Sequence, residues 1–215
     1  MSINNSQPQR NLFGDLSLWF LLLSNLATVF FATKENWNLS TIMWVYWFQS
    51  ITIGFFNFIR ILQLKEFSTE GFKINGQPAQ PTQDTKIFTS FFFLFHFGSF
   101  HFVYMIFLLT GTFTKAYGNT PNPAELKYIL LTALLFFINH LFSYFYNRPR
   151  DTKKQNIGPL MFYPYARIIP MHLTIIFGSA FVGALPFFLV LKTFADGIMH
   201  IVEHNVLRKG ELQEV

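Results

Sequence analysis

The chain contains no cysteine and few charged residues. Of its 215 residues, 13% are charged, about half the share that soluble domains carry. The absence of cysteine excludes disulfide bonds, thiolate-bound metals, iron–sulfur clusters and a cysteine nucleophile. The shortage of charge argues against a soluble fold. The net charge of +5 does not predict a nucleic-acid partner, because the basic residues follow a topology pattern along the chain.

Apolar residues are abundant: 51% of the chain is hydrophobic and 20% is aromatic, including 30 phenylalanines. Six apolar runs are long enough to cross a hydrocarbon core, which takes roughly 20 helical residues. The sequence therefore predicts an all-α fold, a six-helix transmembrane bundle in contact with a lipid bilayer. The predicted spans are Leu12–Ala32, Thr41–Leu62, Ile87–Phe113, Leu126–Tyr146, Tyr163–Ala180 and Gly183–Val206.

Lysine and arginine are unevenly distributed between the two sides of this bundle. With six spans, twelve of them fall at one side, three fall at the other, and Lys192 lies inside the last span. Positive residues collect in cytoplasmic loops, so both termini are expected in the cytoplasm, with the chain in the inner (cytoplasmic) membrane. The predicted organisation is a cytoplasmic segment 1–10, a six-span domain 11–207 with a cytoplasmic loop 64–86 of little structure, and a cytoplasmic tail 208–215.

The last predicted span carries a polar stripe. Lys192, Asp196, His200 and His204 recur every four residues, and Glu203 falls seven residues after Asp196. At about 100° per residue these side chains occupy one face of a helix, roughly 120° wide. Ionisable groups inside a membrane are costly unless they are paired or solvated. The stripe is therefore a candidate functional site.

All histidines fall in predicted spans three to six or in the last turn of a span, and no predicted loop contains one. A polar ring is unfavourable in lipid, so we expect each histidine to have a partner inside the bundle. An interhelical hydrogen bond explains a single intramembrane histidine, but six together point to a shared site. They are His96, His101, His140, His172, His200 and His204.

The expected depth of these side chains supports a common site. A rise of about 1.5 Å per residue places His96, His140, His172, Asp196 and His200 roughly 10–15 Å from the cytoplasmic end of their spans. His101 lies deeper and about 140° around the helix from His96. At least one of those two is therefore expected to be a supporting or hydrogen-bonding group.

Imidazoles with carboxylates are the usual ligands of zinc and non-haem iron, so we expect a divalent metal ion in the inner half of the bundle. The segment His200–His204 also matches the H-x-x-E-H pattern, in which two histidines hold zinc and the glutamate activates water. The predicted catalytic groups are Glu203, Lys192 and Arg167, the two cations serving as charge partners or anion clamps. The predicted metal ligands are His96, His140, His172, Asp196, His200 and His204.

Several functions stay open at this point. In the first, the metal centre does hydrolytic or redox work on a membrane-soluble small molecule. In the second, paired histidines hold haem b for electron transfer. In the third, the stripe on the last span relays protons or cations in a small transporter. In the fourth, the chain is a non-catalytic scaffold. The sequence does not decide whether the chain is an enzyme or whether it forms a homo-oligomer.

Three segments resemble a family of small bacterial multi-pass membrane proteins of unknown function. They are Phe95–His101 in span three, Tyr165–Gly178 in span five, and Leu191–His200, continuing to His204, in span six. The resemblance implies a membrane protein whose signature residues coincide with the polar residues named above. It implies no substrate.

Overall fold

The structure, a computed structural model, describes residues 30, 34, 37–114, 121, 123–151, 155–177 and 186–198. This part of the chain is mostly helical, with four strands of two residues each. Its helices at Leu39–Leu62, Gln83–Gly111 and Glu125–Phe142 are long and apolar enough to cross a membrane. The chain therefore has the features of a multi-pass membrane protein.

The first long helix, α1, covers Leu39–Leu62. It is capped by Asn38, whose side-chain oxygen accepts a hydrogen bond from the backbone N–H of Thr41 at 2.8 Å. Such a cap satisfies one of the free amides at a helix start. A helix of 24 residues rises about 36 Å, which is enough to cross the hydrocarbon core. Arg60 lies in the last turn, at the end that the charge pattern assigns to the cytoplasm.

The segment after α1 contains three short strands, β1 at Phe67–Ser68, β2 at Lys73–Ile74 and β3 at Gln77–Pro78. β2 and β3 pair antiparallel as a hairpin. Asn75 and Gly76 form its turn with φ angles of 51° and 79°, because Asn-Gly tolerates the left-handed backbone that a two-residue hairpin loop requires. Little structure was expected in this loop, but its turn residues allow a short β-hairpin.

Two further long helices pack on α1. α2 covers Gln83–Thr114 and α3 covers Pro123–Asp151. Proline suits the first position of α3, where its missing N–H leaves no hydrogen bond unmade. α1 makes the most extensive contacts in the described part of the chain, with α2 on one side and α3 on the other, while α2 and α3 scarcely touch. α1 is therefore the central helix.

The chain after α3 returns to the same side of the bundle. β4, at Gln155–Asn156, pairs in parallel with β1. Since β1 follows α1 and β4 follows α3, the loops after these two helices lie together. This is the arrangement that the positive-charge pattern predicts for the cytoplasmic loops.

The rest of the described chain contains three further α-helices and a 3₁₀ turn. α4 covers Ile157–Phe162, a 3₁₀ turn covers Tyr163–Arg167, α5 covers Ile168–Phe177, and α6 covers residues 186–198. Proline opens the 3₁₀ turn, where its lost N–H prevents one continuous α-helix.

The prediction of six long spans needs correction. Within the described residues three helices qualify as candidate spans, not six. The predicted first span lies outside the described residues apart from Phe30. The predicted fifth span begins in the 3₁₀ turn, and its described helical part is α5, Ile168–Phe177. The predicted sixth span is described only over residues 186–198, which are helical.

Candidate functional site

An ion-pair cluster joins the 3₁₀ turn to α6. Asp196 accepts from both neighbouring cations: Arg167 Nη1 lies 2.8 Å from Oδ1, and Lys192 Nζ lies 2.8 Å from Oδ2. Lys192 and Asp196 are one helical turn apart on α6, so they share a face. We call Arg167, Lys192 and Asp196 the charge cluster.

Tyr46 of α1 packs against the charge cluster. Its hydroxyl donates to the backbone carbonyl of Arg167 at 3.1 Å. Its ring centre lies 4.7 Å from Cζ of Arg167 and 5.6 Å from Nζ of Lys192, within the range of cation–π attraction. The ring of Phe188 on α6 packs edge-on against Tyr46 at 5.4 Å. Tyr46 therefore connects the central helix to both elements that carry the charges.

The charge cluster is buried. The exposed fractions are 4% for Arg167, 7% for Lys192 and 4% for Asp196. Burying a charge costs free energy because the group loses its hydration. Buried charges are therefore usually paired with an opposite charge. The pairing unites two cations with one carboxylate, so the three side chains together carry a net positive charge.

One edge of the Arg167 guanidinium has no hydrogen-bond partner among the residues that the structure describes. Nη1 donates to Asp196, whereas Nε and Nη2 are buried without an acceptor in the part of the chain that the structure describes. These two nitrogens form the side of the guanidinium that binds carboxylate or phosphate through two parallel hydrogen bonds. A buried N–H without a partner costs about 1–3 kcal/mol, and more when it is charged.

His96 pairs with a tyrosine of the 3₁₀ turn. Its Nδ1 lies 2.8 Å from the hydroxyl of Tyr165, and its ring stacks on Phe92 with centres 5.2 Å apart. His96 itself is exposed at the surface of α2. It therefore lies at the apolar outer face of the helix, beside Phe88 and Phe92.

His101 is a connector between α2 and α1. Its Nδ1 lies 2.9 Å from the carbonyl of Phe97, and its Nε2 lies 2.8 Å from the hydroxyl of Ser50. In the neutral ring, Nδ1 must donate to the carbonyl, which leaves Nε2 to accept from the serine. Both ring nitrogens of His101 are thus engaged by hydrogen bonds.

His140 and His172 have separate neighbours. Nδ1 of His140 lies 3.1 Å from the carbonyl of Phe136 on the same helix. Nδ1 of His172 lies 3.3 Å from the hydroxyl of Tyr104 on α2. The two histidines belong to α3 and α5, which lie apart in the bundle.

The described part of the predicted metal site is dispersed. No group of three histidine, aspartate or glutamate side chains that could hold a metal ion occurs among the described residues. His96 and His140 are separated because α1 lies between their helices. His200, Glu203 and His204 lie outside the described residues. A metal site there, the haem alternative and the relay alternative all stay predictions.

The sequence offers no reason to assign a site role to three tyrosines that contact predicted site residues: Tyr46 contacts Arg167, Tyr104 contacts His172 and Tyr165 contacts His96. In a chain of which 20% is aromatic, nothing in the local sequence distinguishes these tyrosines from packing residues. A tyrosine does differ from phenylalanine in needing a hydrogen-bond partner when it is buried. That need is the one signal that could have singled them out.

A comparison with known protein families identifies the chain. The model of a family described as Family of unknown function (DUF6498) matches residues 8–212. No curated protein and no solved structure matches the chain. The match agrees with the unknown function that the resemblance implied, and it states neither a membrane location nor a bacterial origin. Because it covers nearly the whole sequence, the chain belongs to the Family of unknown function (DUF6498).

Proposed function

We propose that the chain is a multi-pass protein of the inner membrane, with both termini and the loops after α1 and α3 in the cytoplasm, that binds the anionic group of a membrane-soluble small molecule at the charge cluster. The observation that carries the binding proposal is the buried Arg167 side chain, which is ion-paired to Asp196 through Nη1 and whose Nε and Nη2 have no hydrogen-bond partner among the described residues. An anionic ligand would satisfy the second edge.

The position of the charge cluster supports a binding role. Ionisable side chains inside membrane proteins usually mark substrate or ion pathways, because their insertion is costly. Arg167 and Asp196 come from different elements and are held together over Tyr46. The donors are therefore oriented before a ligand arrives, which lowers the ordering cost of binding.

An anion fits the described residues better than a metal ion does. Asp196 is the only predicted metal ligand in the charge cluster, and both of its carboxylate oxygens are already engaged by cations. Two neighbouring cations also repel a metal ion. The same cations attract an anion.

The topology is supported by two independent features. The basic residues of the sequence are concentrated near the termini and in the loops after α1 and α3, which favours the cytoplasm for these segments. The pairing of β1 with β4 holds the loops after α1 and α3 on one side, as a shared cytoplasmic location requires.

Mass spectrometry of compounds that co-purify with the full chain tests the function. Detergent-purified wild type should carry an acidic compound that Arg167→Lys retains poorly, because lysine keeps the charge and loses the two-pronged donor. Arg60→Lys is the matched control, since Arg60 donates to the hydroxyl of Tyr163 outside the charge cluster. Identical compounds in wild type and Arg167→Lys would contradict the proposal.

A further inference from the structure

Building on the proposed function, we infer that the charge cluster selects monoanions with two equivalent oxygen atoms, which in a membrane are the carboxylate of a lipophilic acid or the phosphodiester of a lipid. The inference rests on the free edge of Arg167, on the charge of the cluster and on the way Tyr46 holds the guanidinium in place. It goes beyond the proposed function by naming the class of ligand.

The hydrogen-bonding geometry requires two acceptor atoms. Nε and Nη2 of Arg167 project their N–H bonds in parallel from one edge of the planar guanidinium. Both are buried without a partner in the described part of the chain. A carboxylate or a phosphodiester offers two oxygens at matching spacing and satisfies both donors at once. An alcohol or a ketone offers one oxygen and leaves a buried donor unpaired.

The charge count favours a single negative charge. Among the described side chains the charge cluster has two cations and one carboxylate. A monoanion brings this group to neutrality. A dianion such as a phosphate monoester would leave an excess negative charge in a buried site beside Asp196, where like charges repel strongly.

Tyr46 restricts the rotation of the guanidinium. The tyrosine hydroxyl holds the backbone of Arg167 at 3.1 Å, and the ring lies 4.7 Å from Cζ. Asp196 holds Nη1 at 2.8 Å. With its backbone, one face and one nitrogen held in this way, the guanidinium presents its free edge in a single direction, which favours one orientation of a two-oxygen ligand.

Matched amphiphiles test the inference directly. Palmitate and hexadecanol have the same chain length and differ in the headgroup, so calorimetric titration of each into the full chain in dodecyl maltoside isolates the contribution of the two-oxygen anion. We expect wild type to bind palmitate and not hexadecanol. We expect Arg167→Lys to weaken palmitate binding by roughly tenfold or more, while Arg60→Lys leaves it unchanged.

Three further probes define the ligand class and its source. Dihexadecyl phosphate, a monoanionic phosphodiester, should bind as palmitate does, whereas hexadecyl phosphate, a monoester with up to two charges, should bind more weakly. Acetate distinguishes a soluble anion from a lipid: acetate affinity equal to that of palmitate would assign the site to soluble carboxylates, and weak acetate binding would assign it to lipophilic acids. Both results retain a two-oxygen monoanion as the ligand.

Other results would overturn the inference. Equal binding of palmitate and hexadecanol, or an Arg167→Lys affinity equal to that of wild type, would do so. Preference for hexadecyl phosphate over both monoanions would refute the ligand class and leave an anion-binding function in place. If no acid bound and no acidic compound co-purified, the proposed function would fail as well. Should Arg167→Lys not fold, Lys192→Gln replaces it, with the expectation of weakened palmitate binding because the positive charge of the cluster is lost.

Discussion

Tyr46 holds Arg167 by two contacts: its hydroxyl donates to the Arg167 carbonyl at 3.1 Å, and its ring lies 4.7 Å from the centre of the guanidinium. Through these contacts the central helix α1 positions a charged side chain that belongs to the 3₁₀ turn. The arrangement separates the contribution of the hydroxyl from that of the ring, so substitutions at one position can measure each.

Tyr46→Phe should lower the free energy of unfolding by about 1–3 kcal/mol, because it leaves the buried carbonyl of Arg167 unpaired. Tyr46→Leu should cost about 2 kcal/mol more, since it also removes the cation–π contact in a desolvated site. Unfolding by SDS in mixed micelles measures both values. If Tyr46→Leu were no less stable than Tyr46→Phe, the cation–π contact between the Tyr46 ring and Arg167 would contribute nothing to stability.

Asp196→Asn should destabilise the protein by about 3–5 kcal/mol, because it leaves buried cations without their carboxylate. Lys192→Met should cost less, since Asp196 keeps Arg167 as a partner. The double variant should be more stable than the sum of the two single effects predicts, with a coupling of about 0.5–3 kcal/mol. The measurement is a double-mutant cycle on the free energy of unfolding, and strictly additive effects would contradict a direct ion pair.

Gly54→Ala should destabilise the packing of α1 on α2. A Cβ at Gly54 would collide with the ring of Phe97, and an overpacked contact of this kind costs about 1–3 kcal/mol. Phe97→Leu in the Gly54→Ala background should recover part of the loss. Gly98→Ala is the matched control, because a Cβ at that position meets no atom within 4 Å. A loss of stability in the control as large as in Gly54→Ala would show that the collision is not the cause.

The topology can be tested with single cysteines, since the natural chain has none. Lys65, Lys73 and Lys127 are exposed, so their cysteine variants should react readily. A membrane-impermeant maleimide should label the cysteine at 127 from outside intact spheroplasts, and the cysteines at 65 and 73 only in inside-out vesicles. Labelling of all three cysteines from the same side of the membrane would exclude the proposed orientation.

The sequence predicts part of the charge cluster well. Lys192 and Asp196 are four residues apart, and that spacing alone places both side chains on one helix face. The position of Arg167 could not be predicted in this way. An arginine at this point of the sequence fits a side chain that reaches the cytoplasmic interface as well as one that points into the bundle. The 3₁₀ turn that directs Arg167 inward depends on Pro164 and on packing against α1, and neither can be derived from the periodicity of a span.

The histidines show why depth along a helix is a weak guide to proximity. His96 and His140 were expected in one layer of the bilayer, yet α2 and α3 lie on different sides of α1. Depth gives one coordinate of a side chain, and the angular arrangement of the helices gives the others. That arrangement depends on close contacts such as Gly54 with Phe97, which a hydropathy pattern does not contain.

An experimental structure of the full chain in lipid, at a resolution that shows ordered ligands, is the most direct test of the anion site. We expect density with two acceptor atoms about 3 Å from Nε and Nη2 of Arg167. This density should be continuous with an acyl chain or a small organic anion, while Nη1 stays hydrogen-bonded to Asp196. Water or a protein carbonyl at that edge, with no anion present, would contradict this expectation.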